Sequence, residues 1–421
     1  MQKRFVGRMG LLLVLVLGVV AAGAAARAED AARRAPPLCF NPGPEYADGA
    51  RMFQGIPGIE RAANGRLWAT WYGGGTGEDR HNYIMLVTSG DKGKTWSKLR
   101  LVIDPDRDGP CRAFDPCLWR DPDGRLWLSW AQSQGSEYLW AIHTEDPGSE
   151  NPKWSAPQML AQGIMMNKPT FLSGGTWLLP VANWGREGSC GVVCSTDRGK
   201  TWRKIGQANI PKRSDRQCDE HMIVERNDGS LWMLVRTNYG IGQSVSTDRG
   251  KTWSDVEKAN IRHTVSRFFI RRLRSGKLLL VKHNAIDKAG GRSLLNAFLS
   301  DDDGKTWKGG LMIDERNGVS YPDAVESPKR VVYLIYDYHR SSDKQILMAV
   351  FTEADVLAGR WVSSVARQRV VVNQATGTRP PARTGSSAPP RATAAFASLA
   401  KPVRAVASGN RILARDNGGT K

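Results

Sequence analysis

The chain has 421 residues, 41% of them apolar, with 15 Trp, 44 Gly and a formal net charge of +19. That length admits two or three domains or one large all-β domain, and the apolar fraction excludes a polytopic membrane protein and a fully disordered chain. The charge suggests an acidic partner, but +4 of it falls in residues 1–28 and +7 in residues 376–421, leaving +8 for the body; no nucleic-acid-binding motif accompanies it.

Residues 1–28 read as a signal peptide. Lys3, Arg4 and Arg8 precede an apolar run from Leu11 to Val20, followed by the small-x-small site Ala26-Arg27-Ala28. The expected product is exported, to the periplasm or outside the cell, with no stable membrane span after cleavage. Six cysteines follow, and in an exported chain Cys111 with Cys117 and Cys190 with Cys194 are candidate local disulfides. Their spacing is not a zinc pattern.

The body, residues 36–375, is organised by a repeat. Ser89-Gly-Asp-Lys-Gly-Lys-Thr-Trp96 recurs at Ser195–Trp202, Ser246–Trp253 and Ser300–Trp307, as S-x-D-x-G-x-T-W. The first gap is twice the others, so a degenerate copy is expected at Thr144-Glu-Asp146 with Lys153-Trp154-Ser155. A hairpin turn runs at the same period: Asn64-Gly-Arg-Leu-Trp68, Asp123-Gly-Arg-Leu-Trp127, Gly174-Gly-Thr-Trp177, Asp228-Gly-Ser-Leu-Trp232, Ser275-Gly-Lys-Leu-Leu279 and a weaker Pro328-Lys-Arg-Val-Val332. Six repeats of about fifty residues with four short strands each predict an all-β fold, a six-bladed β-propeller of four-stranded antiparallel blades. A strand from Arg369 to Asn373 is expected to complete the last blade alongside N-terminal residues. Residues 376–421 are rich in Ala, Pro, Ser, Gly and Arg without a period, and read as a disordered basic tail.

Repeat phase selects residues at one mouth of the propeller. The start of each first strand and the end of each second strand share a face. Counting from the hairpin glycines gives Asp115, Asn167 with Lys168, Glu220 with Arg236, Arg267 with His283, and Tyr321 with Asp337. Starts of the third strands give His81, Glu187 and Arg292. The first repeat offers Gly55-Ile56-Pro57 and Glu78-Asp79-Arg80, and the Gly73-Gly-Gly75 run is expected to be a turn near the pocket. Polar side chains converging from six repeats at one mouth mark a pocket.

The four boxes resemble the Asp-box, or bacterial neuraminidase repeat, of the sialidase superfamily. Their role is structural: Ser and Asp bond turn backbone, Gly supplies positive φ and Trp packs into the blade. The resemblance extends to the mouth. That family uses a Tyr nucleophile paired with a Glu, an Asp as acid/base and three Arg that grip the substrate carboxylate. The segment from Glu220 to Arg236 resembles the family's Glu strand–hairpin–Arg segment. Arg292 stands eight residues before a box Ser, as the family's last Arg does, and Tyr321, in Val-Ser-Tyr-Pro, follows it at a family-like interval. The resemblance implies Tyr321 and Glu220 as the nucleophile pair, and Glu78 or Asp79 as acid/base. It implies Arg236 and Arg292 on the substrate acid, with Asp115, Asn167 and Lys168 as hydroxyl or acetamido contacts; Arg267 and His283 join the substrate-binding candidates. The sequence departs from the family at one place: where an Arg-Ile-Pro motif is expected, it has Gly55-Ile-Pro, so Arg51, Arg61, Arg80 or Arg267 would have to complete the clamp.

The chemistry has a physical logic. A sialoside carries a carboxylate on its anomeric carbon, which repels a carboxylate nucleophile and not a phenol. The expected activity is retaining hydrolysis of a glycan bearing a terminal acidic sugar. Two alternatives remain. The same propeller would act on a uronic acid or another polysaccharide sugar, with His221 or His283 in the mechanism, or it would bind glycan without catalysis. The chain has no phosphate-cradling loop, metal-ligand helix or nucleotide fingerprint, so no cofactor, metal or nucleic acid is expected.

Overall fold

The computed structural model describes residues 31–284 and 291–378. Residues 1–28, read as a signal peptide, lie outside the described residues, as does the tail from 379 onward. Six antiparallel sheets follow one another along the chain. Their inner strands are Gln54–Arg61, Arg112–Arg120, Thr170–Phe171, Asp219–Glu225, Phe269–Arg272 and Val319–Glu326, and four strands of each sheet continue outward in chain order. This is the six-bladed propeller that the repeat predicts. One α-helix among the described residues, Glu353–Ala358, follows the third strand of blade six, and no helix among them is long and apolar enough to cross a membrane.

The periodic turns have the geometry their residues require. In the first hairpins Gly65, Gly124, Gly175, Gly229 and Gly276 take φ between 81° and 103°, and in the weak sixth copy Arg330 holds the same place at 58°. In every box the Ser hydroxyl accepts the glycine N–H, at 2.8 Å in the first, second and fourth and 2.9 Å in the third. The Asp carboxylate takes the Thr N–H and hydroxyl; those bonds hold the Asp197 carboxyl down at about 2. The degenerate copy keeps a remnant, with the Asp146 N–H on Thr144 Oγ1. Each box glycine also touches another blade's core: a Cβ on Gly93 would meet Met348, and one on Gly304 would lie 2.5 Å from the Trp232 ring. The boxes therefore fasten blades to one another.

One expectation holds and one changes. The last strand, Arg367–Gln374, pairs with Gln345–Thr352 as the outer edge of blade six and lies alongside N-terminal residues, though no N-terminal strand pairs with it. Leu38–Cys39 instead adds a fifth strand to blade one, covering the edge of the short strand Leu101–Ile103. Residues 48–51 reach the last strand and its exit through Asp48 and Arg51, which bond Asn373 at 3.0 and 2.9 Å, and through the Asp48 carbonyl, which accepts the Thr376 N–H at 2.8 Å. Disulfides do not form: all six cysteines are free thiols. Cys190 and Cys194 lie on one strand, where four residues span ~13 Å, beyond the ~7 Å limit between bridged Cα atoms. Cys111 and Cys117 are separated in the same way by the extended start of Arg112–Arg120.

If the boxes hold blades together, Gly304→Ala, which forces a Cβ into Trp232 at φ 85°, destabilises by roughly 1–3 kcal/mol. Ser89→Ala, which leaves the buried Gly93 N–H without its acceptor, costs about 1–2 kcal/mol. Urea unfolding reads both; unchanged midpoints would show that the boxes are dispensable.

Candidate active site

Four of the six inner strands share an irregularity near their start. The register slips between Gly55 and Gly58, Phe114 and Cys117, Asp219 and Met222, and Ser320 and Asp323. Across each slip the inner strand has one residue more than its neighbour, a β-bulge. In each bulge a non-glycine residue takes positive φ: Ile56 at 55°, Asp115 at 50°, Glu220 at 41° and Tyr321 at 54°. Proline follows Ile56, Asp115 and Tyr321, and a bulge tolerates its missing N–H. The bulges turn these side chains away from ordinary strand alternation.

The result at blades four and six is a buried triad. Tyr321 Oη donates to Glu220 Oε1 at 3.1 Å. Arg236 Nη1 donates to the same oxygen at 2.7 Å and to Tyr321 Oη at 3.3 Å. Burial pushes the Tyr321 phenol well up, Glu220 adds to that, and Arg236, Arg292 and Arg340 pull back. Burial also works against the Arg236 charge, but Glu220 and Tyr321 hold it above its ordinary value. Glu220 Oε2 and Arg236 Nε are buried without a partner among the described residues.

Two more guanidinium groups frame the phenol. Arg292 Cζ lies 5.2 Å from the Tyr321 ring centre and Arg340 Cζ 5.3 Å from it. Phase counting found Arg292 and missed Arg340, which lies in the loop three residues past Asp337. Of the arginines expected to complete the clamp, Arg51 is buried in bonds to Asp48, Gln54, Asn373 and the Tyr46 carbonyl. Arg61 ends its inner strand at the opposite mouth, Arg80 lies in the exposed loop beside His81, and Arg267 is engaged below. Asp337 is fully buried, its carboxyl pushed up by burial; it accepts the Ile56 N–H at 2.9 Å and the Ser320 hydroxyl at 2.5 Å.

Glu78 and Asp79 separate clearly. Asp79 turns into its own loop, where its carboxylate accepts the N–H groups of Thr76 and His81. Glu78 faces the site and pairs with Arg340. Asp115 is buried; burial, then Glu78 and Glu220, push its carboxyl well above the usual range, and its Oδ2 has no partner among the described residues. Asn167 stands behind Glu220, donating to the Glu220 and His221 carbonyls at 2.8 and 3.0 Å, and Arg267 Nε holds the Asn167 carbonyl at 2.7 Å. This pair braces the bulge that carries Glu220. Lys168 is deeper in the channel: Nζ donates to the Ile59 and Leu118 carbonyls and pairs with Glu60 and Asp323 at 3.2 and 3.3 Å. His283 is fully buried; its Nε2–H meets the Val319 carbonyl at 2.8 Å, and its Nδ1 has no partner among the described residues. No group of three or more His, Cys, Asp or Glu among the described residues is placed to hold a metal. Clefts of about 440 and 520 Å³ lie at the opposite mouth, around Arg271 and Arg272, and do not touch Tyr321.

Comparison with known proteins agrees with this architecture. The model of the BNR repeat-like domain matches residues 65–334. A sialidase of Bacteroides fragilis is 24% identical over 67% of this chain and 59% of its own length. A sialidase of Paraclostridium sordellii is 26% identical over 47% of this chain and 56% of its own. The chain thus spans less than two thirds of each of these relatives. Among solved structures, the intramolecular trans-sialidase from Ruminococcus gnavus in complex with oseltamivir carboxylate superposes with a TM-score of 0.59 at 16% identity. That match covers 73% of this chain and 96% of that one.

Burial lowers the His283 imidazole to about 4. A depressed histidine contributes stability that is complete above its unfolded value and lost as pH falls toward its folded one. Between pH 6.5 and 4 the wild type should lose about 3 kcal/mol more than His283→Gln. Urea titrations of both proteins at pH 7.5 and 4.5 measure this; parallel losses would mean that the imidazole is not held neutral.

Proposed function

The chain belongs to the BNR-repeat propellers of the sialidase superfamily, and from that premise we propose that it is an exported glycoside hydrolase that releases a terminal acidic sugar, sialic acid, with retention through a tyrosyl intermediate. One observation carries the reading: a buried phenol hydrogen-bonded to a carboxylate, with an arginine on both. A scaffold or a lectin has no need of that arrangement. The carboxylate ligand named in the Ruminococcus gnavus structure favours an acidic sugar, and the basic, apolar and small-x-small stretches of residues 1–28 favour export.

The steps follow from the groups present. The phenol is too weak an acid to be ionised beforehand, so its proton passes to Glu220 as Oη bonds to the anomeric carbon. In the same step Glu78, in its acid form, gives a proton to the leaving glycosidic oxygen, and the bond from that oxygen to the anomeric carbon breaks. A water then attacks the same carbon and yields its proton to the Glu78 carboxylate. The Tyr321–sugar bond breaks and Oη recovers its proton from Glu220. Two inversions give retention, and one water is consumed. Arg236 and Arg292 bind the sugar carboxylate. Glu78 rather than Asp79 takes the acid/base role, because the Asp79 oxygens are occupied by its own loop. A second reading is favoured by Gly55: with an arginine absent from that position, the sugar would be a uronic acid or another polysaccharide unit.

On a fluorogenic α-sialoside the wild type should turn over, Tyr321→Phe should lose at least about a thousandfold in kcat, and Glu220→Gln about 10²–10⁴-fold. Undiminished turnover by Tyr321→Phe would remove the tyrosyl mechanism. Turnover confined to uronides would replace sialic acid with the second reading.

A further inference from the structure

Gly55 opens a gap at the mouth of blade one, and the gap is filled from blade six. A Cβ on Gly55 would overlap Arg340 Cδ and lie 2.6 Å from its Cγ and 2.9 Å from Asp337 Oδ2. The Arg340 stem therefore already runs through the volume that a side chain at residue 55 would use. Its guanidinium group lies over the Tyr321 ring at nearly the same distance as that of Arg292. Burial works against its charge, but Asp337, Tyr321 and Glu78 hold it above its ordinary value. Its head is ion-paired with Glu78. The protein thus displays the kind of group that Arg340 binds, and that group is a carboxylate.

We infer that Arg340 is the residue that selects an acidic sugar, taking the place of an arginine at residue 55, and that Glu78 holds its guanidinium until the sugar carboxylate displaces it. The inference rests on the reading of the protein as an acidic-sugar hydrolase. Two consequences follow from the exchange. The Glu78 carboxylate, released by the incoming acid, takes up a proton from solvent and becomes free to give it to the glycosidic oxygen. A neutral sugar cannot compete for Arg340, so it leaves Glu78 tied to the guanidinium. Recognition of the carboxylate and release of the acid/base are then one event. Glu78 is suited to moving: it is about half exposed and follows Gly77, around which a side chain would meet nothing within 4 Å.

The test is calorimetric binding of 2,3-didehydro-2-deoxy-N-acetylneuraminic acid and of its uncharged methyl ester to the purified full chain, its Arg340→Met variant and its Glu78→Gln variant. The wild type should prefer the acid by at least about tenfold. Arg340→Met, which keeps the stem beside Gly55, should lose most of that preference while binding the ester within about twofold of wild type. Glu78→Gln, relieved of the competing carboxylate, should bind the acid more tightly by about threefold or more. A full acid preference in Arg340→Met overturns the role of Arg340, and unchanged or weaker acid binding by Glu78→Gln overturns the exchange. If Arg340→Met does not fold, Arg340→Lys carries the same test, because it keeps charge and loses the two-pronged donor: its preference should fall at least about threefold, and an undiminished preference is again fatal. A wild type that binds acid and ester alike would instead remove the acidic-sugar reading itself, and this inference with it.

Discussion

The mouth of this propeller depends on one backbone device, the single-residue bulge at the start of an inner strand. A regular strand sends successive side chains alternately to its two faces. The extra residue breaks that alternation and lets a side chain turn toward the axis where strand geometry alone would not place it. Holding Asp115, Glu220 and Tyr321 at positive φ costs about 1–3 kcal/mol each, and the surrounding bonds supply the restraint. Asn167 takes the Glu220 and His221 carbonyls, and Asp337 takes the Ile56 N–H. The strain is thus concentrated where the phenol, its carboxylate partner and the buried Asp115 must face one another.

Closure of the ring supplies the rest of the restraint. Blade six grips blade one through buried carboxylates: Asp323 accepts the Ile59 N–H at 2.9 Å, as Asp337 accepts that of Ile56. Lys168 from blade three reaches across the channel to blades one, two and six. Replacing either partner would leave a buried charge alone, which is worse than never having the pair. This polar knot below the site sets the spacing of inner strands whose own ladders are as short as two residues in blade three.

Much of this was legible because a propeller keeps its phase. Once Gly229 marks a hairpin, counting outward reaches Glu220 and Arg236 at the same end of blade four, and the same count reaches Tyr321 and Asp115. Counting fixes height along the axis, not the direction of a side chain. Asn167, Lys168, Arg267 and His283 satisfy the same count, yet the structure places them behind or below the phenol. Arg340 escaped because it belongs to a turn, which carries no repeat. Its only trace in the sequence was indirect: a glycine at position 55, beside a site expected to be lined with charge, leaves a volume that some other side chain must occupy. The cysteines misled for a related reason, since closeness in sequence along a strand means distance in space.

Arg236, beside Tyr321, differs from the cations below it in unused bonding capacity. Lys168 spends its ammonium group on two carbonyls and two carboxylates, and Arg267 spends Nε and Nη2 on Asn167 and the Met166 carbonyl. Lys168 cannot receive a ligand without giving up a buried bond. Arg236 keeps Nε unbonded among the described residues, and the Glu220 oxygen that Tyr321 does not use is equally without a partner. Buried polar atoms in a native protein are rarely left unpaired without a reason. Around Tyr321 the spare bonds fall on groups of both signs. Around Tyr321 such unpaired atoms coincide with a strained backbone. The two together mark this mouth as the candidate site of the propeller.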